Sequence, residues 1–160
     1  MSFRIGTGYD VHALKKGLPL ILGGVKIEHD RGLVGHSDAD VLLHAICDAL
    51  LGSLALGDIG QHFPDTSSEY KGIDSKILLK RCYKLVRHKN FRLVNLDATL
   101  MLERPKIKSH IPEMRHAISE ILETPVENIS IKATTTEKLG FTGREEGVAA
   151  EAMVLIESIN

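Results

Sequence analysis

The stretch Ser37-Asp38-Ala39-Asp40-Val41-Leu42-Leu43-His44-Ala45-Ile46-Cys47-Asp48-Ala49-Leu50 sets the reading of the whole chain. Val41, Leu42, Ala45, Ile46, Ala49 and Leu50 recur at three- and four-residue spacing, the period of one buried helical stripe. Ser37 fits an N-cap, and Asp38 and Asp40 then fall in the first turn, where the helix dipole favours acids. A helix is therefore expected over residues 37–56.

Upstream, residues 3–11 read as a strand with Asp10 and His12 at its end, and residues 18–27 as a hairpin turning at Gly23-Gly24. Residues 28–35 read as loop. Downstream, residues 57–68 have the composition of a structured loop, and residues 75–88 form a second helix with Ile77, Leu78, Cys82, Leu85 and Val86 as its stripe. Residues 94–102 read as a strand ended by Pro105. Pro112 suits the first turn of a third helix that runs to residue 122. Two more strands, 129–133 and 148–156, flank a loop at 134–147. This order predicts an α+β fold: one domain over residues 1–160, with a mixed four-stranded sheet, helices packed on one face and a small β-hairpin.

The 160 residues are 43% hydrophobic, too apolar for disorder, but only 4% aromatic and without Trp, so aliphatic side chains must fill the core. Twenty basic residues against twenty-one acidic ones give a net charge of −1, which argues against a nucleic-acid partner. Any phosphate recognition must be local. Cys47 and Cys82 sit in helical patterns and read as buried thiols rather than a disulfide or metal cluster. No window is long enough for a membrane span and the N-terminus lacks a signal-peptide core, so a cytoplasmic protein without a membrane partner is expected.

Asp10 and His12, at i and i+2 of an extended segment, project to one face and can share one ion. His44 is the best third ligand, because Asp40 at i−4 or Asp48 at i+4 could accept its second ring N–H. Two histidines and a carboxylate leave one tetrahedral position open, as catalytic zinc requires. The same residues read also as a strand end and a satisfied core histidine. His36-Ser37, at the expected helix start, could meet an anion, or Ser37 could simply be a cap. Ala133-Thr134-Thr135-Thr136-Glu137-Lys138 offers hydroxyls for phosphate oxygens and a carboxylate for Mg²⁺, although threonines also belong in strands. Lys106, Lys108 and Arg144 suit phosphate or plain solvation.

Four segments resemble the cyclodiphosphate synthase family: 4–12, with Gly8-Tyr9-Asp10-Val11-His12; Gly35-His36-Ser37-Asp38-Ala39-Asp40-Val41; Gly57-Asp58-Ile59-Gly60 with Phe63-Pro64-Asp65-Thr66; and the unbroken run from Lys132 to Arg144. They are collinear along the chain. The resemblance implies cyclisation of 4-diphosphocytidyl-2-C-methyl-D-erythritol 2-phosphate, with release of CMP. It implies Zn²⁺ on Asp10, His12 and His44, and Mg²⁺ or Mn²⁺ bridging the substrate diphosphate with help from Glu137. His36 and Thr135 would stabilise the pentavalent phosphorus, and Ser37 would help to fold the substrate.

By the same resemblance Asp58, Ile59 and Gly60 hold sugar hydroxyls, and Phe63, Pro64, Asp65, Thr66 and Ser67 shape the floor. Pro105, Lys106, Ile107 and Lys108 build the cytidine pocket with Ala133, Thr134 and Thr135, and Thr136, Phe141 and Arg144 complete the substrate contacts. The match is looser over Leu102-Glu103-Arg104. The family pattern further implies a homotrimer with active sites between subunits, Arg144 and Glu146 in a ring at the axis, and a cavity for an isoprenoid diphosphate. Two other functions fit parts of this pattern: a zinc phosphohydrolase that uses water as nucleophile, and a non-catalytic trimeric binder.

Overall fold

Residues 1–159 are described in a computed structural model of the chain. Strand β1 (Phe3–Lys16) precedes a hairpin, β2 (Leu20–Leu22) and β3 (Val25–Ile27), and a short β4 (Arg31–Leu33). Helices α1 (Val41–Ser53), α2 (Ile59–His62) and α3 (Ser75–His88) follow, then β5 (Phe91–Met101), α4 (Ile111–Ile121), β6 (Ile129–Thr134), α5 (Gly140–Gly143) and β7 (Gly147–Ser158). The main sheet runs in the order β4-β1-β7-β5-β6, with β5 and β6 parallel and the other pairs antiparallel. β2 and β3 form a separate two-stranded sheet.

The α+β class and mixed sheet agree with the sequence reading, but the sheet has five strands rather than four. β1 does not stop at Val11: it runs on to Lys16, and its extension pairs Leu14, Lys15 and Lys16 with Leu33, Gly32 and Arg31. Three residues of β4 are too few to show alternation, so the segment resembles loop in sequence. Asp10 and His12 consequently lie inside a strand rather than at its end.

Helix α1 begins at Val41, not Ser37, because Asp40 is the cap and its carboxylate accepts from Leu43 N–H. The same carboxylate accepts from Gly23 N–H and Gly24 N–H at the hairpin turn, so one buried side chain joins hairpin to helix. Complete burial pushes this carboxyl up to about 6, against the three N–H groups that hold it down. The Leu43 N–H at the helix N-terminus is thereby taken, so an anion beside His36 and Ser37 would rely on those side chains and the remaining N–H groups. Helix α1 is buried nearly all round, from Val41 to Leu51, because it lies between β1, β7 and α3. In α3 the stripe is Leu78, Leu79, Cys82, Tyr83 and Val86, while Ile77 is exposed and Leu85 half-buried. The loop at 57–68 holds α2, and the loop at 134–147 holds α5.

Even-numbered β1 residues face the helices. A Cβ on Gly6 would lie 1.9 Å from the Ala49 carbonyl oxygen, and one on Gly8 would lie 1.9 Å from that of Ala45. Small residues on both elements thus let the α1 backbone rest directly on the strand. Asp10 and His12 continue the same face. The opposite face of the sheet is uncovered and exposes Phe3, Ile5, Tyr9, Val11 and Met153. Cys47 and Cys82 are free and buried, as expected. Among the described residues no helix is long and apolar enough to cross a membrane.

Candidate metal centre

Close contact between β1 and α1 brings His44 over Asp10 and His12. Asp10 Oδ2 lies 3.0 Å from His12 Nε2 and 3.1 Å from His44 Nδ1, and the two ring nitrogens are 3.1 Å apart. These three atoms form a nearly equilateral triangle. Hydrogen-bond partners on the far sides of the rings fix their tautomers. His12 Nδ1 lies 2.7 Å from the Val34 carbonyl, which can only accept, so the proton is on Nδ1 and Nε2 presents its lone pair.

The Ser75 hydroxyl donates to the Asp38 carboxylate, so its oxygen accepts from His44 Nε2–H at 2.8 Å. His44 Nδ1 therefore also presents a lone pair, and Ser37 Oγ sits 3.1 Å from the same Nε2. With both rings neutral, three lone pairs converge, and either a metal cation or a further proton on each ring satisfies them. Bonds of about 2.0–2.1 Å to a tetrahedral ion place ligand atoms roughly 3.3 Å apart, close to the spacing seen. Without a metal ion, burial alone would raise the Asp10 carboxyl, but hydrogen bonds and charge from His12 and His44, once their facing nitrogens carry protons, outweigh it and hold it at about 2. The His12 ring is raised in turn, because the Asp10 hydrogen bond and charge outweigh burial, which acts downward.

Neither Asp40 nor Asp48 serves His44, contrary to the expectation from their spacing. Asp40 is spent on the hairpin and its cap, and Asp48 accepts from Ile59 N–H. Sequence reasoning missed Ser75 and Asp38, which lie far from His44 in the chain or behind a bend, so no local periodicity links them. Replacing Ser75 by Ala should lower metal affinity about 10- to 100-fold while the chain still folds. Chelator competition reads this directly, and an unchanged affinity would remove Ser75 from the metal's support.

The triad opens into a cleft of about 470 Å³ lined by His12, His36, Ser37, His44, Ile59, Gly60, Phe63, Pro64, Asp65 and Thr66, with Gly35, Tyr70 and Leu78. His36 Nε2–H donates to the Ser67 carbonyl at 2.9 Å, which leaves Nδ1 for a ligand. Asp58, exposed next to the cleft residue Ile59, caps α2 through Gln61 N–H.

A second hollow of about 150 Å³ is lined by Pro105, Lys106, Ile107, Lys108, Ala133, Thr134 and Thr135, with Leu102 and Glu103. The two depressions share no residue. Asp10 pairs with Ala150, Ala150 with Leu100 and Leu100 with Ala133, so triad and threonine run lie at one level of the sheet. They are three strand spacings apart, roughly 14 Å. Glu137 is exposed in a turn with φ 55°. Thr136 Oγ1 donates to the Leu139 carbonyl and accepts from Thr142 Oγ1, and Phe141 is about one-third exposed. Arg144 pairs with Glu146 through two contacts of 3.0 and 3.2 Å.

The YgbB family model matches residues 3–157. The chain belongs to the YgbB family. Family members named 2-C-methyl-D-erythritol 2,4-cyclodiphosphate synthase include a protein of Syntrophobacter fumaroxidans, 61% identical over 97% of this chain and 98% of its own. Among solved structures, an IspF from Plasmodium falciparum in complex with CDP matches with a TM-score of 0.87 at 34% identity, covering 99% of this chain and 98% of that one. The bifunctional IspDF of Campylobacter jejuni matches with a TM-score of 0.96 at 43% identity over 99% of this chain, which spans 43% of that longer protein. YgbB membership and a triad with metal-ligand geometry thus meet in one chain.

Proposed function

We infer that this YgbB-family chain is a metal-dependent phosphorus–oxygen lyase of non-mevalonate isoprenoid biosynthesis. It converts 4-diphosphocytidyl-2-C-methyl-D-erythritol 2-phosphate to 2-C-methyl-D-erythritol 2,4-cyclodiphosphate and CMP. The observation that carries this reading is the convergence of Asp10, His12 and His44 lone pairs at the mouth of a cleft, in a chain 61% identical to a synthase of that name. Residues 1–160 are taken as one domain of this kind.

The chemistry asks little covalent work of the protein. An oxygen of the 2-phosphate forms a bond to the β-phosphorus while the bond from that phosphorus to the α-phosphate oxygen breaks. The nucleophile is a phosphate already ionised near neutral pH, and the leaving CMP departs as another, so no general base is needed. Positioning and charge neutralisation remain. Zn²⁺ at Asp10, His12 and His44, and Mg²⁺ or Mn²⁺ at Glu137, would neutralise phosphate charge and polarise the reacting phosphorus. His36, through its free Nδ1, and Thr135, through its hydroxyl, are assigned to the equatorial oxygens, with Ser37 beside them. Asp58, Ile59 and Gly60 take sugar hydroxyls, and Phe63 to Ser67 form the floor. Lys106 and Lys108 flank the diphosphate as its cytidine enters the hollow between Pro105 and Ile107 and Ala133 to Thr135. Thr136 and Thr142 brace the turn, with Phe141 and Arg144 at its margin.

Two half-sites some 14 Å apart on one chain are joined if a neighbouring subunit brings its threonine hollow to this triad. The exposed row Phe3, Ile5, Tyr9, Val11 and Met153 supplies an apolar face for such packing, which favours a homotrimer with sites between subunits. The Arg144–Glu146 pairs would then ring the axis, above an apolar cavity suited to an isoprenoid diphosphate. A substrate carrying three phosphates does not cross membranes unaided, so the enzyme must share the compartment that makes it, which supports assignment to the cytoplasm.

A phosphorus NMR time course with the cytidyl substrate, Zn²⁺ and Mg²⁺ tests this function. CMP with a coupled pair of cyclic diphosphate resonances is expected. Linear phosphate products would point to a hydrolase, and no turnover to a binding protein.

A further inference from the structure

We propose that Glu103, in the turn between β5 and α4, is a positioning residue that sets the Glu137 carboxylate in place for the second divalent ion. Glu103 Oε1 accepts hydrogen bonds from both Thr136 N–H and Lys138 N–H, each at 3.1 Å. Those two amides flank Glu137, whose own N–H donates to Thr135 Oγ1 at 3.3 Å. One carboxylate and one hydroxyl thus take three successive amides.

Their backbone needs such restraint. Glu137 and Lys138 adopt φ of 55° and 63°, a left-handed pair that residues with a Cβ rarely hold without surrounding contacts. Released from Glu103, the turn would relax toward ordinary φ and swing the Glu137 side chain away. Thr135, which lines the nucleotide hollow and belongs to the same turn, would move with it. Glu103 also lines that hollow, so the tie joins its two walls, the segment after β5 and the segment after β6.

The role needs an acceptor oxygen, not a charge. Glutamine keeps Oε1 at the same reach and should preserve the turn, whereas alanine leaves both amides without a partner.

This inference rests on the assignment of Glu137 to the second ion. The test compares wild type, Glu103→Ala, Glu103→Gln and Glu137→Ala in two measurements. Amide hydrogen exchange at Thr136 and Lys138 is followed on the zinc-loaded protein alone. Mn²⁺ binding is titrated by electron paramagnetic resonance with cytidine diphosphate present. Glu103→Ala should speed exchange at both amides about tenfold and raise the half-saturating Mn²⁺ concentration about tenfold, with zinc content unchanged; Glu103→Gln should restore both.

A wild-type Mn²⁺ requirement in Glu103→Ala, alongside a raised one in Glu137→Ala, would overturn the positioning role alone. An unchanged requirement in Glu137→Ala would overturn the assignment of Glu137 and the inference with it. Failure of Glu103→Gln to restore Mn²⁺ binding would contradict the acceptor role.

Discussion

Purified His44→Ala protein should carry no stoichiometric zinc and should turn over at least roughly a thousandfold more slowly than wild type. The estimate follows from the geometry: losing a hydrogen-bonding partner of a metal ligand costs about 10- to 100-fold in affinity, and losing a ligand itself costs more. His44 supplies one of three converging lone pairs, and Asp10 and His12 alone, at i and i+2 of a strand, cannot enclose an ion. Its ring also lies mostly buried, so the variant must be shown to fold by its thermal transition. Metal analysis is the decisive readout, and normal zinc content in folded His44→Ala protein would remove His44 from the site.

Gly8→Val should be strongly disruptive although it lies outside the site. The new Cβ would sit 1.9 Å from the Ala45 carbonyl oxygen and 2.8 Å from Ala49 N, both backbone atoms of α1 that no rotamer change can move. Overfilling a packed core costs about 1–3 kcal/mol, and a clash with helix backbone belongs at or above the top of that range. At roughly 2–4 °C per kcal/mol for a chain of this size, the thermal midpoint should fall by about 10 °C. Zinc affinity should fall too, because the displaced helix carries His44. Gly52→Ala is the matched control: its Cβ meets only the Thr7 carbonyl oxygen at 3.7 Å, so stability should hold or rise. Equal stability for Gly8→Val and wild type would contradict the close strand–helix contact.

Much of this was legible in the sequence because it follows from periodicity. The spacing of Asp10 and His12 fixed their common face, and the stripe starting at Val41 located the helix that brings His44 to them. The bounds of α3 and the Gly23-Gly24 turn were equally plain. What escaped was set by distant partners. Strand β4 exists only because the end of β1 pairs with it. Asp40 reads as a first-turn acid, yet folding makes it the cap and hairpin clasp. Ser75 reads as an ordinary helix start, yet it meets His44 across the core, and Asp38 completes that link. Glu103 stood in the loosest part of the family pattern, although its carboxylate holds the turn that bears Glu137. The residues matched along the chain also divide between two hollows, a separation that linear order hides.

Subunit complementation tests most directly whether one active site is built from two such halves on neighbouring chains. His44→Ala and Glu137→Ala proteins, each inactive alone, are mixed in equal amounts, unfolded, refolded together and assayed for CMP release. In a trimer with sites between subunits, every mixed assembly has one site with both halves intact, so about one quarter of wild-type activity should return. No recovery from mixtures that demonstrably exchange subunits would place both halves of the site on the same chain and contradict the account.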